Sequence, residues 1–226
     1  MKNSILLMLA LAFISACQND PKPEAAAVVA TPQPDTTAQT TAAPDTSING
    51  VFTITEGVVN WTGAHTLNKD GHEGTITVES GEIQVNQGLV KSGKVLLDMN
   101  SIAVTDIKDP GERKDLESHL KDADFFEVNK YPKAEFVFEE ALSAKGDNFN
   151  TVLNGHLTMK GKKVPLTIPV SLTLSAKSLQ AESPAFPINR TQWGVNFRSG
   201  ILGTTRDKMI DDTVPLILKV AAKKKD

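Results

Sequence analysis

The chain has 226 residues, with 24 Lys and Arg against 27 Asp and Glu and a formal net charge of -3. Apart from Lys223-Lys224-Lys225 near its end it carries no basic run, which excludes a nucleic-acid interface built on a cationic face. A single cysteine, Cys17, excludes an intrachain disulfide, so burial of apolar surface must hold the fold together.

Lys2, the apolar run from Ile5 to Ile14 and the small residues Ser15 and Ala16 read as a secretory signal over residues 1–16, because ten apolar residues fall well short of the ~20 needed to span a bilayer. Ile14-Ser15-Ala16-Cys17 also resembles a bacterial lipobox, in which the cysteine is acylated and becomes the first residue of the mature chain. That assigns lipidation to Cys17, removes a lone thiol from an oxidising compartment and makes the membrane a partner. Residues 17–47 then form a tether: eighteen of the thirty residues from Gln18 to Ser47 are Pro, Ala or Thr and none is aromatic. Such a composition buries too little to offset ordering entropy, and extended it reaches up to about 90 Å. The expected location is the cell envelope, at the outer membrane facing the periplasm, since Gln18 offers no Asp-type retention signal.

Residues 48–226 suit one domain. Apolar residues alternate at Ile76 and Val78, Ile83 and Val85, Val95, Leu97 and Met99, and Phe136 and Phe138, each a half-buried strand. One stretch departs from that period. In DPGERKDLESHL, Asp109 can cap a helix, Pro110 suits its first position, Glu112 has capping-box spacing, and Leu116 and Leu120 share a face. A short helix is expected near 110–121, followed by Phe125-Phe126 and by a strand that starts after Tyr131-Pro132.

Leu153 to Met159 and Val164 to Leu174 read as a hairpin turning at Lys160-Gly161-Lys162. Pro165 and Pro169, which cannot donate ladder hydrogen bonds, place a bulge or a free edge on its second strand. Val214, Leu216, Leu218 and Val220 supply a last strand. Many short strands, one helix and no βαβ alternation predict an all-β antiparallel sandwich or barrel, and closure is favoured because it leaves no unpaired edge.

His65, His72, His119 and His156 show no metal-ligand spacing, so no metal is expected, and no catalytic motif is present. Asp211 and Asp212 point to opposite faces of an extended chain and suit a turn or a salt bridge with Arg190 or Arg206 better than acid/base chemistry.

Trp61-Thr62-Gly63, His72-Glu73-Gly74, Leu97-Asp98-Met99-Asn100-Ser101-Ile102, His119-Leu120 with Asp124-Phe125-Phe126, Tyr131-Pro132, Gly155-His156-Leu157-Thr158, Arg190 with Trp193-Gly194, and Ile210-Asp211-Asp212 occur in one order. In this the chain resembles the YceI-like family of exported bacterial proteins, from about Gly50 to Ala222. The resemblance implies an extended, eight-stranded, antiparallel lipocalin-like barrel whose interior holds a long isoprenoid or similar amphiphile, with no catalysis, cofactor or metal. On that basis the expected lining is Trp61, Phe126, Phe136, Phe138, Leu157, Ile168, Leu172 and Phe197, with headgroup contacts from His72, His119 and Arg190. The alternatives are a packed structural or protein-interaction barrel without ligand, and a lipid-modifying enzyme.

Overall fold

Alternating apolar positions become long strands in the computed structural model, which describes residues 43–226. The expected signal peptide, Cys17 and the tether up to residue 42 lie outside the described residues. The described strands are β1 (Gly50–Ala64), β2 (Gly71–Asn86), β3 (Leu89–Val104), β4 (Lys133–Gly146), β5 (Phe149–Met159), β6 (Lys162–Leu174), β7 (Ser178–Glu182), β8 (Phe186–Asn189) and β9 (Thr213–Lys224), with one helix, α1 (Pro110–Lys121), between β3 and β4.

Every pairing is antiparallel, and β1 pairs with both β2 and β9, so the sheet closes on itself. β7 and β8 lie along successive stretches of the same β9 edge, β7 beside Lys219–Lys223 and β8 beside Thr213–Leu216. Nine strands therefore fill the eight positions of a closed barrel, as the sequence predicts.

The hairpin between β5 and β6 turns where expected. Met159 pairs with Lys162, and Lys160 and Gly161 both have positive φ, 50° and 73°. Two successive left-handed residues make the tight turn whose twist matches the flanking strands, and Gly161 adopts its conformation without a Cβ clash. The β5–β6 register runs through Pro165 and Pro169 without a shift. Those prolines are tolerated because β6 pairs with β7 only from Ser171 onward, which leaves the earlier part of that edge without a ladder to break.

The inner face carries Phe52, Val59, Ile76, Val95, Phe136 and Phe138 in the buried core. Phe136 and Phe138, two apart on β4, stack with centroids 6.0 Å apart. At α1 the Asp109 carboxylate accepts from the N–H groups of Gly111 and Glu112, capping the helix as its sequence suggests. β4 begins at Lys133, directly after Tyr131-Pro132. No side chain of α1 is fully buried: the helix rests on the barrel end through half-buried Leu116 and Leu120, and Glu117 accepts from the Val104 N–H at 2.9 Å.

The unpaired edge of β6 is covered by the 3₁₀ turn Arg190–Trp193, which packs against it directly after β8. Trp193 is 1% exposed and its Nε1–H donates to the Leu157 carbonyl at 2.9 Å. Arg190 anchors the long loop that follows: its guanidinium donates to the carbonyls of Val195, Ile210 and Asp211 and to Asp212 Oδ1 at 3.0 Å. Burial pulls the Arg190 pKa below its ordinary value while Asp212 and Asp211 oppose that shift, and the group stays charged at neutral pH. Replacing Arg190 with Leu strands three carbonyls and Asp212, and should cost about 3 kcal/mol or more in equilibrium urea unfolding of the full chain. A loss below about 1 kcal/mol would show that the loop is held some other way.

Candidate ligand-binding cavity

Trp61 and Gly74 define the way into the barrel. They face each other across β1 and β2, and a Cβ on Gly74 would sit 2.4 Å from Cζ2 of the Trp61 indole and 2.0 Å from the Ala103 carbonyl oxygen. Only glycine lets the ring lie there. On one side of the indole is a void of about 180 Å³ at the barrel mouth, reaching His72 on β2 and Leu116 on α1. On the other is an interior void of about 120 Å³ walled by Met99, Ile102, Leu157 and Leu216 among others.

The two voids share Trp61, Leu120, Phe125 and Ile210 as a neck. A third, of about 40 Å³, continues past Leu157 and Leu216 to Phe136 and Ile168. Together they form an apolar path along the barrel. A larger concavity, about 1010 Å³, lies elsewhere, over outward-facing Glu56, Ser171, Gln180 and Lys219. It is wide and polar-rimmed, unlike the enclosed apolar sites that small ligands fill.

The residues expected to line a ligand divide into three groups. Trp61, Phe126 and Leu157 border the interior void, while Phe136 and Ile168 border the deepest one. Phe138 and Leu172 border none of the three: Phe138 is buried under Phe136, and half-buried Leu172 pairs with Ala181. Phe197 sits at the helix end of the barrel, 4.7 Å from the His119 ring and 5.0 Å from Phe125, outside the path.

The expected headgroup contacts have other partners here. His119 stands edge-on between Phe125 and Phe197. Arg190 borders the interior void, but its guanidinium is committed to the loop. His72 borders the mouth with Nδ1 2.9 Å from Asp106 Oδ2.

Sequence reading missed the share of the wall that comes from Val195 and Ile210, because neither lies in an alternating strand pattern. It also missed Lys160, whose ammonium donates to the main-chain carbonyls of Ala123 and Phe125 and so ties the turn after α1 to the β5–β6 hairpin. A lysine in a tight turn gives no sign of that reach. Among the described residues no three His, Cys, Asp or Glu side chains gather as a metal site.

The carboxylates at the rim are ionised and held. Burial pushes Asp106 up, but hydrogen bonds from His72 and the Glu73 N–H outweigh it and keep the pKa below the usual range. Lys69, 2.8 Å away, holds Asp211 low as well, against the opposing effect of burial. Asp212, as the sequence suggests, pairs with Arg190.

The family model for the YceI-like domain matches residues 35–222. The chain belongs to the YceI-like family. Among solved structures, Burkholderia cenocepacia BcnA is similar, with 22% identity over 73% of this chain and 95% of that one and a TM-score of 0.56. A polyisoprenoid binding domain from Saccharophagus degradans, implicated in plant cell wall breakdown, is also similar, with 13% identity over 77% of this chain and 98% of that one and a TM-score of 0.52. At these identities the likeness to those two proteins is one of fold. Comparison with curated proteins gives no match.

The rim carboxylates make stability depend on acid. Their folded pKa values lie below the unfolded reference of about 3.9, so their contribution is complete above that pH and disappears as pH falls through the folded values. Melting temperature should fall between about pH 5 and about pH 2, and Asp106→Asn should flatten that slope while changing stability at neutral pH by less than about 1 kcal/mol. An unchanged acid slope in the variant would remove Asp106 from this role.

Proposed function

We propose that the barrel binds an apolar, chain-like amphiphile of isoprenoid type by burial, without converting it, at the bacterial cell envelope. The observation that carries this reading is the row of three adjacent apolar voids, sharing wall residues, from the mouth past Trp61 to Phe136. The similar domain from Saccharophagus degradans is a polyisoprenoid binding domain, which supports the same ligand class. Burying 300 to 400 Å² of ligand apolar area supplies roughly 8 to 10 kcal/mol before the costs of association.

The interior void of about 120 Å³ is smaller than the roughly 300 to 1,000 Å³ of ordinary ligand pockets, so binding a long chain requires the path to widen. The element suited to move is α1 with Phe125 and Phe126 behind it. It bridges the mouth without a fully buried side chain on the helix, which is the low-stability character expected of a lid. The path supports Trp61, Phe126, Phe136, Leu157 and Ile168 as contacts, with His72 at the rim.

Cys17 would anchor the chain to the membrane by acylation after removal of residues 1–16, and residues 17–47 would tether the barrel at the envelope, with the outer membrane as the proposed site. The small volume of the voids and the stacked Phe136 and Phe138 favour one second reading, a packed barrel that serves protein interaction.

Native mass spectrometry of the full chain, purified in mild detergent from envelope extracts and then offered an isoprenoid alcohol, separates the two readings. The carrier retains lipid, and Ile76→Phe, which fills the interior void, should lower retention at least about tenfold, as expected when the apolar contacts of several methylenes are lost. Reproducibly empty wild-type protein that takes up no probe leaves the packed barrel. Separately, Cys17→Ser should abolish incorporation of radiolabelled palmitate and release the protein from membranes; retained label would refute acylation at Cys17.

A further inference from the structure

Three buried side-chain polar atoms find no hydrogen-bond partner among the described residues: Trp61 Nε1, His156 Nδ1 and Asn196 Oδ1. Of these residues only Trp61 borders the apolar path, and it does so at the neck shared by the mouth and interior voids. A buried N–H without an acceptor is costly and rare in native proteins, so each one calls for a physical explanation, a functional role among them. The fold is able to satisfy an indole, since Trp193 Nε1–H has the Leu157 carbonyl. The Trp61 ring is also fixed in place, because it occupies the space over Gly74 that any other side chain there would fill.

Charge at the neck limits what that acceptor can be. Arg190 is the only Lys or Arg bordering either void among the described residues, and Asp212 and three carbonyls already engage it. Asp70 lines the mouth void, and the Asp106 and Asp211 carboxylates stand at the rim beside it. A phosphate or carboxylate brought to this neck would be desolvated beside carboxylates with no cation free to meet it. A carbonyl or hydroxyl oxygen carries no such penalty.

We infer that Trp61 selects amphiphiles with an uncharged oxygen acceptor, its Nε1–H donating to that oxygen at the neck while the apolar chain runs inward past Leu157. This rests on the binding proposed above and narrows its ligand class. The N–H is out of reach of water in this structure, so the bond forms when Leu120 and Phe125, which share the neck, draw aside for the ligand. The acceptor then satisfies a donor that the fold itself leaves unpartnered, which gives the polar end of the ligand its own share of affinity.

The test offers the full chain phosphatidylcholine vesicles that contain, in equal amounts, an isoprenoid acetate ester, the matching hydrocarbon and the matching monophosphate, and quantifies what the re-isolated protein retains. Wild-type protein should prefer the ester to the hydrocarbon by roughly 3- to 10-fold, the range of one net hydrogen bond, and should hold the monophosphate least. Trp61→Phe should bring the ratio of ester to hydrocarbon retained down to about one, whatever it does to the total retained. Equal retention of ester and hydrocarbon by wild-type protein overturns the inference without recourse to a variant, and so does preference for the monophosphate or an equal loss of both probes in Trp61→Phe. Failure to retain any probe overturns the binding reading itself.

Discussion

Closure of β1 on β9 is the constraint on which the rest of the molecule depends. An open sheet of this length would expose two rows of unpaired N–H and C=O groups. Pairing Phe52–Trp61 with Leu216–Lys224 removes them and at the same time encloses a volume. Without a disulfide, the chain has only that enclosure and the burial it permits to offset the entropy of folding. The inner faces must then be apolar, and the barrel's one incomplete seam must be sealed by other means.

That seam lies beside β6, and its sealing decides the shape of the interior. Because β8 pairs with β9 alone, the chain has to cover the β6 edge with the turn that carries Arg190 and Trp193. Arg190 then gathers the loop back over the barrel end, which brings Val195 and Ile210 to the cavity wall. An ion pair that looks like a possible headgroup contact is thus a clasp, with its donors committed to carbonyls and to Asp212. The consequence is a neck bordered by Trp61, Leu120 and Phe125 with no unpaired cation beside it among the described residues.

The stretch from His119 to Phe136 shows how far sequence reasoning reaches. Helix end, aromatic pair, Tyr-Pro turn and strand start are all written in local chemistry: the cap at Asp109, the i to i+4 spacing of Leu116 and Leu120, and the bias proline imposes on the residue before it. What each ring touches is not local. Phe125 and Phe126 are adjacent and alike, yet Phe125 meets His119 and Phe197 at the barrel end and reaches the mouth, whereas half-buried Phe126 borders the interior void alone. Phe138 and Phe197, equally plausible as lining by composition, border none of the three voids: Phe138 points inward but is stacked on Phe136, and Phe197 packs on His119 and Phe125.

Periodicity and turn chemistry determined that this chain forms an antiparallel sandwich or barrel with one inserted helix, since each acts over a few residues and repeats along the chain, and the family resemblance pointed to the closed barrel. Tertiary structure alone decided that the interior is narrow and apolar rather than a wide chamber, that Arg190 is a clasp, and that the unmet polar group beside the voids belongs to Trp61. Those outcomes depend on which side chains meet across strands far apart in sequence, as Trp61 meets Gly74 and Arg190 meets Asp212. Volume and hydrogen-bond satisfaction are properties of such meetings, and no single segment carries them.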